Sequence, residues 1–146
     1  MADQRYDGLK IKNQLCFPIY VCSRELIKRY KPFLDTIDLT YTQYLTMMVL
    51  WEEGEVTSKE LGNRLYLDSG TLTPLLKKLE AKGLLTRERS RVDERNLRVS
   101  LTAEGEALKD KALDIPVGME KHVCLTIEER KELYRLLYKL LQEAPE

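Results

Sequence analysis

The chain has 146 residues, 43% of them apolar and 33% charged, which is enough for one domain with a real core and excludes both a disordered chain and two ordinary domains. Its 24 Lys+Arg balance 24 Asp+Glu, and zero net charge argues against a phosphate binder only if the charge is spread evenly. It is not: residues 77–98 hold 8 basic against 4 acidic side chains, whereas residues 102–146 hold 7 against 10. No apolar run approaches the roughly 18–20 residues of a membrane span. Met1 to Asp7 lacks the apolar stretch of a signal peptide. The expectation is a cytoplasmic protein without membrane contact.

In chain order, Leu9 to about Leu34 reads as a long helix, with Leu15, Ile19, Leu26, Ile27, Tyr30 and Phe33 at helical spacings. Asn13 is a candidate N-cap for it. Thr40 then caps a helix to Glu52 or Glu53, with Tyr44, Leu45, Met48, Val49 and Trp51 toward its buried side, and Gly54 ends it. Thr57 and Glu60 form a capping box that opens a short helix. After the Tyr66–Gly70 connection, a helix runs from Ser69 or Thr71 to Lys82, with Gly83 as its stop. Leu72, Leu75, Leu76 and Leu79 share one face of it, and Gly70, Thr73, Pro74 and Lys77 the other. Residues 84–89 and 97–101 alternate as strands joined by a charged hairpin. Thr102 opens a further helix to about Leu113, which Pro116 and Gly118 break. Thr126 to Glu129 is another cap signal, before a last helix carrying Leu133, Leu136, Leu137, Leu140 and Leu141.

A helix–turn–helix followed by a charged hairpin predicts a winged helix: mainly α, with a small β wing. The basic segment coincides with the end of the second helix and the wing, which suits the major groove and the phosphates of double-stranded DNA. The terminal helices, about 9–34 and 102–143, carry more apolar surface than so small a reader needs and predict a homodimer reading two half-sites. No spacing of Cys16, Cys22, Cys124 and the one histidine, His122, suggests a metal, and no cofactor motif stands out. A reducing compartment argues against a static disulfide. Cys16 lies in a first helical turn, where free N–H groups suit an anionic sulfur. Tyr20 lies at i+4 from it. On the residues alone a small buried hydrophobe is the commoner role for such a cysteine. Cys22, turned away from Cys16, is expected to pack.

Several segments then carry a likeness: Leu15-Cys16-Phe17-Pro18-Ile19-Tyr20, Tyr30-Lys31-Pro32, Leu39 to Leu45, Leu65 to Leu79 with its LDSGTLTPLLKKL run, and Arg91-Val92-Asp93-Glu94-Arg95. Over about residues 9–115 the sequence resembles the MarR family of winged-helix repressors, and within it the organic hydroperoxide resistance regulators. The resemblance implies a dimeric, non-enzymatic repressor that leaves a pseudo-palindromic operator when an organic hydroperoxide oxidises Cys16. It implies that Tyr30 and Tyr41 reach that thiol from the partner subunit, and that Tyr20 acts in the oxidised state. It implies that the sulfenic acid is resolved by a small thiol or, across the dimer, by Cys124. On the DNA side it implies Ser69, Thr71, Thr73, Pro74, Lys77 and Lys78 on the reading helix. On the wing it implies Asp93 orienting Arg95 into the minor groove.

Rival readings remain at this point. One is a MarR-type regulator released by a bound phenolic compound. Others are a thiol peroxidase, for which no fingerprint is found, and a winged helix that binds only protein.

Overall fold

A computed structural model describes residues 4–92 and 96–142. Two short 3-10 turns, Gln4–Leu9 and Ile11–Asn13, precede the first α-helix, α1 (Cys16–Asp35). That helix starts later than its apolar pattern suggests. Asn13 is no cap: its side-chain amide donates to the Asp7 carbonyl at 2.8 Å inside the 3-10 segment. Leu15 occupies the N-cap position without a side-chain bond to the first turn. Pro18 falls in that turn, where its missing N–H costs nothing.

Thr40 caps α2 (Tyr41–Glu53) through a full capping box with Gln43, and Gly54, at φ 78°, closes it. The expectation for Met48 is corrected: it is exposed, whereas Gln43, Thr46, Met47 and Leu50 are buried. The two polar residues go inside because their groups are already satisfied. Gln43 completes the box, and the Thr46 hydroxyl donates to the Thr42 carbonyl at 2.9 Å.

A strand that the sequence pattern does not show, β1 (Glu55–Thr57), leads into α3 (Ser58–Leu65), capped by the Thr57/Glu60 box. The turn ends in the N-cap of α4 (Ser69–Ala81), where Asp68 accepts from the Thr71 N–H at 2.8 Å. Strands β2 (Leu85–Arg89) and β3 (Leu97–Leu101) follow, and the antiparallel sheet has the order β1-β3-β2. Val56 pairs with Val99, and Leu85 with Leu101. Leu61 of α3, Leu76 and Leu79 of α4, Leu85, Val99, and Met47 and Leu50 of α2 are essentially inaccessible and form the core beneath the reader.

Thr102 caps α5 (Ala103–Ala112). The break expected at Pro116 and Gly118 falls instead at Leu113, because both residues lie inside a short helix, α6 (Asp114–Glu120). Pro116 is its third residue, so again no hydrogen bond is lost. Gly118 has no side chain for a packing reason: a Cβ there would overlap the Phe33 ring of α1. The last helix, α7 (Ile127–Gln142), starts at a capping box in which Thr126 and Glu129 each accept the other's backbone N–H. None of its residues is buried in the protomer. No helix among the described residues is long and apolar enough to cross a membrane.

Candidate functional site

The recognition face is built by one local rule. The four leucines of α4 at i, i+3, i+4 and i+7 turn inward, so the residues between them face solvent. Ser69, Thr71, Thr73, Pro74, Lys77 and Lys78 are all exposed on that outer face. Pro74 interrupts α4 without ending it. Asp93 and Arg95, the wing pair, lie outside the described residues.

The basic excess of residues 77–98 is partly used internally. Glu80 of α4 accepts the Arg87 backbone N–H at 3.0 Å and its guanidinium at 3.0 and 3.3 Å. The guanidinium bonds on Oε1 and the backbone N–H bond on Oε2 together fix strand β2 to the end of the recognition helix. They also hold the Glu80 carboxyl below its usual pKa, through the Arg87 hydrogen bond first. Arg98 and the Ser100 hydroxyl likewise engage Glu55 across β1 and β3, and Lys82 pairs with Asp38. The Glu55 carboxyl is lowered, chiefly by Ser100 and then by Arg98. Among the described residues, Lys77, Lys78, Arg89 and Arg91 are exposed and form no ion pair. A cleft of about 770 Å³ runs between α3, α4 and the wing, lined by Lys59, Asn63, Ser69, Thr73, Arg87 and Arg89 among others.

The residues implicated in oxidation fall at two ends of α1. Cys16 is its first helical residue and is exposed. No side chain caps the first turn ahead of it. Tyr20, one turn on, is 60% exposed, and the Arg24 guanidinium carbon lies 5.4 Å from its ring centre. At the far end, Tyr30 of α1 meets Tyr41, the first residue of α2, with ring centres 4.9 Å apart. Tyr44 joins them, 6.0 Å from Tyr30. The sequence pattern places Tyr44 only in the core. Burial raises the pKa of all three phenols, and proximity to one another adds to the shift of Tyr41 and Tyr44. They therefore stay protonated donors well above neutral pH. An apolar hollow of about 330 Å³ opens beside Tyr41, lined by Ile27, Leu34 and Leu39 with the stems of Lys28 and Lys31.

Cys16 and Tyr30 are fourteen positions apart, about 21 Å along the helix axis, so one protomer cannot bring them together. Cys124 sits exposed in the loop between α6 and α7. That loop packs at the tyrosine end of α1: Arg29 donates to the His122 carbonyl at 2.9 Å, and Phe33 meets the His122 ring edge-on. Cys22 is exposed in the protomer, contrary to its expected packing role. Among the described residues no cluster of His, Cys, Asp and Glu is arranged to hold a metal.

A helix–turn–helix with a three-stranded wing, set between long apolar terminal helices, is the fold of the MarR-type transcriptional regulators. The profile described as transcriptional regulator SarA/Rot matches residues 28–112. The chain is 49% identical over 143 residues to the organic hydroperoxide resistance transcriptional regulator of Bacillus subtilis, covering 96% of this chain and 95% of that one. It is 50% identical over 123 residues to the regulator SarZ of Staphylococcus aureus, covering 84% and 83%. Of solved structures, reduced AbfR bound to DNA is 35% identical, with a TM-score of 0.79 over 94% of this chain and 96% of that one. The disulfide-formed state of the same Staphylococcus epidermidis protein gives 0.65 over 97% and 99%. The chain belongs to the MarR-type family of winged-helix transcriptional regulators, in the group of the organic hydroperoxide resistance regulators. That family regulates transcription; it is not a family of enzymes.

Proposed function

We propose that the chain is a cytoplasmic, homodimeric repressor that holds a pseudo-palindromic operator in its reduced state and releases it when an organic hydroperoxide oxidises Cys16. It works as one unit, with residues 57–80 and 84–101 as reader and wing and residues 9–34 and 102–143 as the dimerisation arms. The observation that carries this reading is the separation of the thiol from its phenols along α1. Tyr30 and Tyr41 lie out of reach of Cys16 in its own chain. Seating the first turn of one α1 beside Tyr41 of the partner subunit brings the thiol and the phenols together. The surface for this is present: Leu15 and Phe17 are exposed around Cys16, and the hollow at Tyr41 is apolar. The uncovered leucines and tyrosines of α7 supply the rest of the interface.

The Cys16 thiolate attacks the terminal peroxide oxygen. The O–O bond breaks, the alkoxide takes a proton and leaves as an alcohol, and the sulfur becomes a sulfenic acid. Cys124 of the partner subunit then resolves it as a disulfide. Its loop lies at the same end of α1 as the tyrosines, and therefore close to where the incoming Cys16 is placed. Pulling that loop toward the partner shifts α6 and α7, and with them the spacing of the two recognition helices. Ser69, Thr71 and Thr73 face base edges and backbone. Lys77 and Lys78 contact phosphates, and Asp93 orients Arg95 on the wing. The test is peroxide titration of an operator complex followed by peptide mapping. A linked Cys16–Cys124 peptide that appears with DNA release supports the reading. Release with both cysteines reduced contradicts it.

A further inference from the structure

The loop that carries Cys124 is tied down on both sides of the thiol. Arg130, in the first turn of α7, donates from Nη2 to the Val123 carbonyl at 3.0 Å and from Nε to the Leu125 carbonyl at 3.2 Å. These are the two residues that flank Cys124. Its Nη1 pairs with Glu120 at the end of α6 at 2.8 Å. Arg29, from α1, takes the His122 carbonyl. Three main-chain oxygens within four residues are thus held by guanidinium groups on two different helices, while the cysteine between them is exposed.

This grip lies beside the tyrosine site and not over it. The loop meets α1 along Arg29 and Phe33. On the helical wheel Tyr30 is turned about 100° from Arg29 and about 60° from Phe33. Around a helix about 10–12 Å across, that rotation is a lateral distance of about 5–9 Å. A disulfide needs Cα atoms about 4.4–6.8 Å apart. The upper part of that range lies beyond a disulfide's reach, and there the Cys124 loop meets a sulfur seated at Tyr30 and Tyr41 only by moving sideways, which draws the carbonyls of 122, 123 and 125 off their donors.

Resting on the proposed role of Cys124, we infer that Arg130, assisted by Arg29, is a latch that sets the rate of the resolving step. Latched, the loop keeps the Cys124 thiol away from the partner's sulfenic acid. Opened, it lets the thiol attack the sulfenic sulfur: the S–S bond forms, the S–OH bond breaks, and hydroxide leaves with the thiol proton as water. The oxidising equivalents are those already delivered by the organic hydroperoxide. Arg130 acts on the position of the loop and touches no reacting atom.

The experiment follows both steps separately in the full-length reduced protein. Cumene hydroperoxide is added without any small thiol. Loss of the Cys16 thiol, sulfenic acid trapping and the Cys16–Cys124 linked peptide are timed in the wild type, Arg130→Met and Arg29→Met. Operator binding before oxidation certifies the fold. The latch predicts an unchanged rate of Cys16 oxidation. It predicts a linked peptide forming about tenfold faster in Arg130→Met, which loses charge-assisted bonds at two carbonyls, and a smaller acceleration in Arg29→Met, which loses one. A linked peptide that forms in the wild type but no faster in Arg130→Met overturns the latch and leaves the resolving role standing. No linked peptide in either protein overturns both. A linked peptide only in Arg130→Met supports the latch in its strongest form. If Arg130→Met fails to bind the operator, Arg29→Met decides: acceleration supports the latch, and an unchanged or slower rate overturns it.

Discussion

Cys16 and Tyr30 lie fourteen positions apart on one helix, about 21 Å along its axis, and the proposed site forms only when a second copy closes that distance. The dependence can be read out in mixed dimers. In a dimer with Cys16→Ser on one subunit and Tyr41→Phe on the other, cross-subunit assembly leaves one complete site. Its remaining thiol is expected to react with cumene hydroperoxide at the wild-type rate. The symmetric Tyr41→Phe dimer is expected to react about tenfold more slowly, for the loss of one hydrogen bond to a charged sulfur. Stopped-flow consumption of peroxide distinguishes the two. A slow mixed dimer places thiol and phenol in the same chain.

The tyrosine cluster also sets an alkaline limit. Burial raises the pKa of Tyr30, Tyr41 and Tyr44. The folded protein therefore holds these protons more tightly than the unfolded chain, whose phenols titrate near roughly 10. By linkage, the stability from the neutral phenols is complete below that pH and is lost as pH rises through the raised values. Urea unfolding from pH 8 to 11 should show a fall that begins near roughly pH 10. Tyr30→Phe, which removes one titrating phenol and its effect on the other two, should flatten it.

Gly105 marks the joint between the sheet and α5. The first turn of α5 lies so close to the start of β2 that a Cβ at this position would overlap the Leu84 carbonyl oxygen and press on Leu101 Cδ2 at 3.1 Å. The Gly105 carbonyl also accepts the Trp51 indole N–H at 2.9 Å. Because the obstacle is backbone, it cannot rotate away. Gly105→Ala should destabilise the protein by about 2–3 kcal/mol in urea unfolding. Gly8→Ala, where a Cβ meets nothing within 4 Å, should change stability by less than about 0.5 kcal/mol.

Salt dependence of operator binding should come from α4 and the wing. Lys77→Ala and Lys78→Ala are each expected to reduce the slope of log K against log salt by about one, for the phosphate that the lysine no longer neutralises. Lys121→Ala, in the acidic C-terminal part, should leave the slope unchanged. Arg87→Ala should differ from the lysines. Its guanidinium is spent on Glu80, so its removal should weaken binding through a loosened wing and lower the slope little.

The reader was legible in the sequence because its signals are local. The Thr57/Glu60 box and the leucine spacing of α4 each lie within one or two turns and point to the same answer as the tertiary packing. Where the sequence misled, a longer-range fact had intervened. Asn13 has the chemistry of a cap, but its amide is taken by Asp7 in a 3-10 turn. Pro116 and Gly118 look like breakers, yet one falls where a helix tolerates proline and the other where Phe33 requires a glycine. Three residues of β1 are too few to show a period, and only pairing with β3 defines them. Cys16 and Tyr20 stand out by their place in a first helical turn, whereas Tyr30, Tyr41 and Cys124 are pointed to by the family likeness alone, since the assembly proposed for them needs two chains. The hydrogen bonds from Arg130 and Arg29 to the Cys124 loop leave no trace in spacing, because they run from side chains to carbonyls.

In the proposed mechanism one sulfur, that of Cys16, governs release. The direct measurement is operator affinity of wild type and Cys16→Ser, by fluorescence anisotropy, before and after stoichiometric cumene hydroperoxide. Affinity should be equal before treatment, lost in the wild type afterward, and fully retained in Cys16→Ser. Peroxide-driven release of the Cys16→Ser protein to the wild-type extent would contradict that mechanism.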